Sequence, residues 1–488
     1  MRVTAVSDVP VNPRGRHVLY WMIAARRTTW SFALDRAIAL ATELARPLVV
    51  LEPLRAGHRW ASDRIHRFVI DGMRDNAARF ARAGVAYHPY VEPELGAGKG
   101  LFAALARRAA VVITDDFPCF FLPRMVKAAA AQCPVRLELV DSNGLLPMFD
   151  ERRLFTTARS FRIHWQKVLA AHLAERPRAD PLARLALPKL PGGLDDIAKR
   201  WPAASPELLA RGGSLARLPI DHAVVRVPFD GGEQAARAAL ARFVAERLPH
   251  YLDRNDPDAD ATSGLSPWLH FGHVAAHEVL DRVLAAEDWS EEKITKAPRG
   301  EREQYFGASA RAEAFLEQLV TWREIGFNQC AFDPAYERYE SLPGWARRSL
   351  GEHAKDRREH VYALDRLAAA DTHDDVWNAA QRQLVAEGRV HNYLRMVWGK
   401  RVLEWTKTPE EALDTLIELN NRYAIDGRDP SSYSGIFWTL GRYDRPWAPE
   451  RPVYGCVRYM SSARTKQKLD MDRYLAAWGR GPTNLRLF

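Results

Sequence analysis

The first 150 residues alternate short apolar runs with amphipathic segments, and this alternation restricts the fold more than any other feature of the chain. The apolar runs have the length of buried strands, and they are HVLYWMI (17–23), RPLVVLEPL (46–54), VAYHPYV (85–91), AVVITDDF (110–117) and VRLELVD (135–141). The segments between them carry apolar residues at helical spacing. Strands that alternate with helices predict βαβ units, so we expect an α/β domain with a Rossmann-like parallel sheet.

After about residue 233 the strand signals nearly vanish, and the remaining sequence predicts an all-helical domain. Residues 171–232, which are rich in Pro, Ala, Arg and Gly, read as a long connector over the surface. A chain of 488 residues is too long for one ordinary core. We therefore predict an α/β domain at 1–170, a linker at 171–232 and a helical domain at 233–488.

Composition excludes several classes of protein. No run approaches the 18 consecutive apolar residues of a membrane span, and the first residues lack the apolar core of a signal peptide. The cysteines are too far apart for a zinc site or a disulfide framework, and they are Cys119, Cys133, Cys330 and Cys456. These features predict a cytoplasmic protein without a bound metal, and we expect it to be a monomer.

The positive charge is concentrated near the end of the chain. Residues 451–488 contain eight Lys or Arg against two Asp, which leaves +6 of the formal net charge of +9. A basic patch of this kind suits a polyanion such as DNA, where neutralised phosphates supply non-specific affinity. A solvated arginine-rich face is the alternative, and charge alone favours that alternative.

Tryptophan is abundant, with 15 residues, and three of them lie on one predicted helix or on its neighbour. Trp398 and Trp405 are seven residues apart, which is about 10 Å along nearly the same helix face. Trp377 precedes them in a neighbouring predicted helix. A packed aromatic stripe is the usual explanation for such spacing, because Trp is a large hydrophobic residue.

Polar residues near these indoles weaken that explanation. Arg395 lies three residues before Trp398 and would need a carboxylate if buried, and the loop AIDGRDPSSYSG offers Asp426 and Asp429. A planar ring system with a polar edge would fit among such groups. The stretch ATSGLSPWLHFGH (261–273) places hydroxyls around a glycine at a predicted helix start. Such a start can cradle a phosphate, although Ser and Thr there usually only cap the helix.

Together these segments resemble the photolyase/cryptochrome flavoproteins, most closely the class II cyclobutane pyrimidine dimer photolyases. The resemblance covers most of residues 250–475 in ordered blocks, including RNDPDADATSGLSPWLHFG, FLEQLVTWREIGFN, REHVYALDRLAAADTHDDVWNAAQ, EGRVHNYLRMVWGKRVLEWTKTPEEAL, LNNRYAIDGRDPSSYSGIFW and RPWAPERPVYGCVRYM. The first domain is similar only in layout and in pieces such as VLYWM, and IAARRTTWSFAL departs from the class II pattern.

The resemblance implies that the helical domain binds FAD. Some members of the family also hold an antenna pigment of the deazaflavin or folate type in the α/β domain, and the sequence does not identify one here. The residues it implies for FAD binding are Tyr251, Ser263, Leu265, Ser266, Arg323, Arg395, Asp426 and Arg428. Arg395 and Asp426 would form an ion pair beside the isoalloxazine, and Asn420 would face its N5 atom. In the implied electron-transfer chain Trp398 is next to the flavin, Trp377 is in the middle and Trp405 is the exposed end.

The same resemblance implies double-stranded DNA with ultraviolet lesions as the partner, so the protein would associate with the nucleoid when bound. A lesion must leave the base stack to reach the flavin. The residues implied for the lesion pocket are Arg254, Asn255, Trp322, Met396 and Trp438. Trp447 and Arg458 would fill or brace the emptied duplex, while the basic tail would contact phosphates without reading sequence.

Two departures from the family leave the activity open. Gln318 stands where the family has a pocket carboxylate thought to stabilise the dimer radical anion, and Gln cannot match its charge or pass a proton. Cys456 replaces a Lys that contacts DNA. The first hypothesis is an FAD-dependent, blue-light-driven DNA lyase. The second is a cryptochrome-like light receptor with little or no repair, and the third is a flavin-free DNA-binding or scaffold protein.

Overall fold

The computed structural model describes residues 2–6 and 8–479, and the chain divides into two compact units. The first unit comprises residues 1–152, 168–242 and 264–286, and the second comprises residues 153–167, 243–263 and 287–488. This division differs from the predicted boundaries at 170 and 232. The predicted linker belongs to the first unit, and so does the segment 264–286, which the sequence pattern assigned to the helical domain.

The first unit contains a six-stranded mixed sheet in the order β1-β6-β5-β2-β3-β4. Its strands are β1 (Val3–Ala5), β2 (His17–Trp21), β3 (Leu48–Leu54), β4 (Ala86–Val91), β5 (Ala109–Asp115) and β6 (Leu137–Val140). All five predicted strands are present and pair in parallel. The edge strand β1 pairs antiparallel with β6 and was not predicted, because three residues are too few to show a period.

Helices pack on both faces of this sheet, because successive strand side chains point to opposite sides. Val18 and Tyr20 join one buried cluster, whereas Leu19 and Trp21 join the other. The helices up to residue 285 are α1 (Phe32–Glu43), α2 (Asp63–Arg82), α3 (Leu101–Ala106), α4 (Leu122–Ala130), α5 (Ala158–Leu173), α6 (Asp195–Arg200), α7 (Pro206–Leu209), α8 (Glu233–Arg242), α9 (Ser266–His270) and α10 (Ala276–Ala285).

The predicted linker is part of the core of the first unit. Leu182 packs in the cluster on one face of the sheet, and Ile197 and Trp201 pack in the cluster on the other. Leu215 and Leu218 pack against α2 in a third cluster. Its few apolar residues show no regular period, so the sequence pattern did not reveal that they are buried.

The second unit is helical, as predicted. From residue 310 its helices are α11 (Ala310–Glu317), α12 (Arg323–Phe332), α13 (Gly344–Glu352), α14 (Leu364–Ala368), α15 (Asp375–Glu387), α16 (Asn392–Trp405), α17 (Pro409–Tyr423), α18 (Pro430–Thr439), α19 (Ser462–Lys468) and α20 (Asp472–Trp478). Short π-helical segments, Phe243–Arg247 and Gln318–Trp322, lie at the end of α8 and between α11 and α12. The second of these separates α11 from α12, so residues 310–332 do not form one continuous α-helix.

Within residues 2–6 and 8–479, no helix is both long and apolar enough to cross a membrane. The same residues contain no cluster of His, Cys, Asp and Glu arranged to hold a metal ion. All four cysteines are free thiols.

Candidate functional site

Three indole rings form a continuous line across α15 and α16. The ring centroids of Trp377 and Trp398 are 6.3 Å apart and nearly parallel, with an interplanar angle of 5°. The centroids of Trp377 and Trp405 are 5.6 Å apart at 69°. The indole of Trp377 therefore contacts both of the others, so the order of the line is Trp398, Trp377, Trp405.

Hydrogen bonds and helix ends fix this line. The Nε1 atom of Trp377 donates to the carbonyl oxygen of Trp398 at 3.0 Å, and Nε1 of Trp398 donates to Oε1 of Gln381 at 2.9 Å. Asp374 caps α15 and accepts from the backbone nitrogen of Trp377. Gly388, with φ of 69°, ends α15 in the left-handed conformation and turns the chain towards α16.

The prediction that Trp405 is the exposed end of the line is wrong. Its side chain is only 2% exposed. Tyr362 and His373 pack against its ring at centroid distances of 5.5 and 5.2 Å, and the guanidinium of Arg401 lies 4.7 Å from the centroid. The segment 358–374 thus covers the end of α16, and helical spacing carries no information about a covering loop.

Tyr362 and His373 form a hydrogen-bonded pair beside the buried end of the line. The Oη atom of Tyr362 lies 2.7 Å from Nδ1 of His373, and the backbone nitrogen of Tyr362 donates to the carbonyl oxygen of Trp405. Burial, with a smaller contribution from nearby His360, lowers the pKa of His373. A lower pKa favours the neutral imidazole, whose unprotonated nitrogen can accept a hydrogen bond from the tyrosine hydroxyl. Neither residue is predicted from the sequence, because neither lies on a predicted helix.

The predicted ion pair between Arg395 and Asp426 is formed. The Nη2 atom of Arg395 lies 3.2 Å from Oδ1 of Asp426, and the two side chains are 22% and 12% exposed. Asp426 lies in the loop between α17 and α18. Because Arg395 is three residues before Trp398 on α16, the ion pair lies on the helix surface beside the indole line.

Arg428 shapes the loop that carries Asp426. Its guanidinium donates to the carbonyl oxygens of Asn421, Ala424 and Ile425, and its backbone has a positive φ of 67°. These bonds explain how a non-glycine residue is held in the left-handed region. Arg428 was predicted to bind the cofactor, whereas its guanidinium donates to the carbonyl oxygens that stabilise this loop.

Asn420 and Arg323 lie on helices that pack against α18. Asn420 is buried, and its Nδ2 atom donates to Oγ of Ser432 at 2.7 Å. The carbonyl oxygen of Arg323 accepts from Oγ of Ser431, and the Arg323 guanidinium lies 4.6 Å from the ring centroid of Phe327. The Nη1 atom of Arg323 is buried and has no hydrogen-bond partner. A buried cationic N–H group without a partner is costly, so it marks a position that an anionic ligand would complete.

The residues predicted to hold the diphosphate and ribityl region are distributed over both units. Tyr251 and Ser263 belong to the second unit, and Leu265 and Ser266 belong to the first. Tyr251 is buried edge-on against Phe315 at 5.4 Å, and burial raises its pKa to about 12. Ser266 is exposed at the first residue of α9, as the predicted helix start required, and Leu265 is buried.

Gln318 and Trp322 are the first and last residues of the π-helical segment Gln318–Trp322, and both are half-buried. The preceding residue, Glu317, is buried and pairs with Arg162, with Nε of Arg162 at 3.0 Å from Oε2. Thr321 donates to Oε2 of Glu317 at 2.7 Å. The adjacent side chains thus differ in function: Glu317 holds the segment in the core, and Gln318 remains accessible. π-Helical turns are often found at functional sites.

A cluster of aromatic and charged side chains brings together three of the residues predicted to contact DNA. The Arg458 guanidinium lies 4.1 Å from the ring centroid of Trp447 and 5.7 Å from that of Trp438. Asp444 accepts from Nε1 of Trp447 at 3.1 Å, and its other oxygen lies 3.3 Å from Nε of Arg458. The carboxylate therefore orients both the arginine and one indole.

The other predicted DNA contacts lie on separate elements of the second unit. Met396 is half-buried on α16, and Asn255 is exposed. Arg254 is half-buried, with its guanidinium 5.0 Å from the ring centroid of Tyr251. The structure shows no geometry that joins these three into one surface.

The basic tail is less available for phosphates than its charge predicted. Nζ of Lys466 pairs with Asp375 at 2.6 Å, and the backbone nitrogen of Arg473 donates to Asp258 at 3.0 Å. These contacts hold α19 and α20 against the rest of the unit. Two other predicted cations, Arg480 and Arg486, lie outside the described residues.

Comparison with curated proteins agrees with this architecture. The chain is 34% identical to the deoxyribodipyrimidine photo-lyase of Oryza sativa subsp. japonica over 483 residues, which cover 95% of this chain and 87% of that protein. It is 31% identical to the deoxyribodipyrimidine photo-lyase of Methanothermobacter thermautotrophicus over 468 residues, which cover 95% of this chain and 94% of that protein. The chain belongs to the photolyase/cryptochrome family.

Among solved structures, this photolyase-family chain is similar to a bacterial class III photolyase from Agrobacterium tumefaciens, with a TM-score of 0.66, 18% identity, and coverage of 97% of this chain and 87% of that one. At that identity the likeness shows the fold alone. No family model matches the chain. The family's architecture, an α/β domain followed by a helical domain, is the one that the two units show.

Proposed function

We propose that this photolyase-family chain is an FAD-dependent, blue-light-driven lyase that splits cyclobutane pyrimidine dimers in DNA. The observation that carries the proposal is the line of three indoles in contact, Trp398, Trp377 and Trp405, beside the Arg395–Asp426 ion pair. Indoles are easily oxidised, so a line of them can pass an electron. A scaffold protein has no use for this arrangement.

The residues of the second unit fit FAD in two respects. The unpartnered Nη1 atom of Arg323 suits an anionic group, and the partly exposed Arg395–Asp426 pair suits the polar edge of a flavin ring. When bound and reduced, FAD supplies on excitation the electron that opens the cyclobutane ring. The proposed enzyme acts on double-stranded DNA as a cytoplasmic monomer. The first unit is the proposed place of an antenna chromophore.

The chain's own residues would select and hold the flipped dimer. Trp322 and Trp438 are half-buried, so each presents part of an aromatic ring for stacking and apolar contact. Arg458, held by Asp444 beside Trp447, is placed to brace the duplex that the dimer leaves. Gln318 offers one donor group and one acceptor to the polar edge of a base.

Replacing Gln318 by glutamate is expected to raise the rate of dimer repair by about tenfold or more, because a carboxyl group can both hydrogen-bond the base edge and pass a proton. The measurement is the loss of dimers from an ultraviolet-damaged oligonucleotide under blue light with chemically reduced protein. Gln132→Glu, an equal change at an exposed position of the first unit, serves as the control. Equal rates for the wild type and Gln318→Glu would show that Gln318 does not face the lesion.

Replacing Asp426 by asparagine is expected to weaken FAD binding by about tenfold to a hundredfold, as for loss of a charged hydrogen bond worth about 1.5–3 kcal/mol. Arg395 then lacks the carboxylate that orients it. The FAD-to-protein ratio after dilution and gel filtration reports the change. Asp371→Asn removes an exposed pair with Arg366 and is the matched control. Full FAD retention by Asp426→Asn would separate this ion pair from the cofactor.

The second candidate function is a cryptochrome-like blue-light receptor with FAD photoreduction but little repair. Gln318 favours it, because the family's pocket carboxylate is absent from that position. Dimer loss under blue light above a dark control excludes the pure receptor, and photoreduction without dimer loss excludes the lyase. A colourless protein that stays colourless after FAD is added would remove both and leave the flavin-free scaffold.

A further inference from the structure

A lysine is fully buried directly beneath one of the proposed lesion-binding tryptophans. The Lys400 side chain on α16 is 0% exposed. Its Nζ atom donates to the carbonyl oxygen of Thr439, the last residue of α18, at 2.6 Å. The same nitrogen lies 4.9 Å from the ring centroid of Trp438. Lys400 therefore binds the helix end that carries the half-buried indole and also contacts that indole.

The packing of α16 on α18 makes this burial possible. A Cβ atom added to Gly399 would come within 2.4 Å of Cγ2 of Thr439, so a larger residue at this position would force the Thr439 side chain or the helices to shift. The last carbonyls of a helix lack intrahelical partners and carry partial negative charge. An amine at the end of α18 supplies the missing donor. Its charged form also interacts favourably with the partial negative charge at this end of the helix.

Burial of this amine costs free energy, because a charged group loses its hydration. The pKa of Lys400 is lowered from 10.5 to about 7, chiefly by burial; Asp444 opposes this shift and the nearby Arg458 adds to it. The hydroxyl of Tyr454 lies 2.7 Å from the Lys400 carbonyl oxygen and 2.9 Å from Glu404. A methionine of similar length would fill the same space without the cost of desolvating an amine.

We propose that Lys400 is a positioning residue that holds the indole of Trp438 in the orientation required to contact a flipped pyrimidine dimer. This inference rests on the proposed lyase function. Lys400 reaches no solvent, so it acts through Trp438 and does not touch the DNA. The cation–π contact and the bond to Thr439 together fix the indole at the edge of the lesion site.

The test is the binding of two oligonucleotides of one sequence, with and without a thymine dimer, to the FAD-loaded protein in the dark. The measured quantity is the affinity for the dimer-containing oligonucleotide divided by that for the undamaged one. Lys400→Met is expected to lower this ratio by about tenfold, which corresponds to roughly 1.4 kcal/mol from the lost cation–π contact and hydrogen bond that orient the indole. Binding of the undamaged oligonucleotide should stay unchanged. Lys400→Gln keeps a donor for Thr439 and is expected to retain more of the preference. Lys407→Met removes an exposed lysine that follows α16 and is the matched control.

The pH dependence of the wild-type protein provides a second readout, which a purely structural lysine would not give. The charged groups that act on the Lys400 amine are Asp444 and Arg458. The preference for the dimer is expected to fall as the pH rises through about 7, because the amine then loses its charge and the cation–π contact. Lys400→Met should show no such midpoint, and Lys407→Met should keep it.

Thermal unfolding tests the burial independently. Between pH 7 and 10.5 the unfolded chain binds a proton at this lysine that the folded chain does not, so Lys400 makes stability rise with pH in that window. Lys400→Met should therefore melt at a higher temperature than the wild type near pH 7, with a difference that shrinks towards pH 10.5.

The outcomes separate this inference from the proposed function. A wild-type protein without preference for the dimer would contradict the lyase proposal itself. A wild-type preference that Lys400→Met and Lys400→Gln both retain in full, with an unchanged pH profile, would overturn the positioning role of Lys400. If Lys400→Met does not fold, Lys400→Gln and the wild-type pH profile decide the matter.

Discussion

Replacement of Trp377 by phenylalanine is expected to abolish the light-driven reduction of FAD by this protein. Among residues 2–6 and 8–479, Trp377 contributes the only ring in contact with both Trp398 and Trp405, at centroid distances of 6.3 and 5.6 Å. Phenylalanine fills most of the same space but is far harder to oxidise, so the line is interrupted in its middle. Blue-light bleaching of the oxidised flavin absorption measures the effect.

The same variant should repair dimers normally once its flavin has been reduced chemically, because the indole line is needed only to reduce the cofactor. Loss of the bond from Nε1 of Trp377 to the Trp398 carbonyl should cost about 1 kcal/mol of stability. Trp345→Phe, at a half-buried tryptophan on α13, is the control and should photoreduce like the wild type. Normal photoreduction by Trp377→Phe would mean that electrons reach the flavin by another path.

Replacement of Glu317 by alanine is expected to lower the free energy of unfolding by about 3–5 kcal/mol, since it leaves a buried guanidinium without its carboxylate. The side chains of Arg162 and Glu317 are 4% and 7% exposed. Thr321, which accepts from Nε1 of Trp165 at 2.9 Å, also loses its own acceptor. Urea unfolding followed by far-ultraviolet circular dichroism measures the loss.

Gln318→Ala, one residue further along the chain, is the matched control. Gln318 is half-buried at the first position of the π-helical segment. Removal of its side chain should therefore change the free energy of unfolding by no more than about 0.5–1 kcal/mol, and it should slow repair. Equal destabilisation by both variants would contradict the distinction between a structural Glu317 and an accessible Gln318.

The sequence predicted that Arg395 pairs with Asp426 beside Trp398, and the structure contains this ion pair. Arg395 and Trp398 share a helix surface by spacing alone, and the motif match supplied Asp426 as the partner of Arg395. Burial was harder to predict. Trp405 is covered by Tyr362 and His373, which come from an irregular segment, and Arg428 donates to carbonyls of its own loop. Loop backbones have no period, so neither contact could be predicted from spacing.

Domain boundaries show the same limit. Leu182, Ile197 and Trp201 lie in a Pro- and Gly-rich stretch that reads as a surface linker, yet they fill the core of the α/β unit. The stretch 264–286 has the helical pattern of the second half but packs with the first. A helical period shows which face of a helix is apolar, and it does not show which core receives that face.

The sequence by itself determined the α/β and helical halves and the family, because strand and helix periods and ordered motifs are local properties of the chain. Only the tertiary structure decided that the rings of Trp377 and Trp398 lie nearly parallel, that Glu317 is buried while Gln318 is accessible, and that Lys400 lies beneath Trp438. Each of these depends on which helices pack together, and packing is set by contacts between residues far apart in the chain.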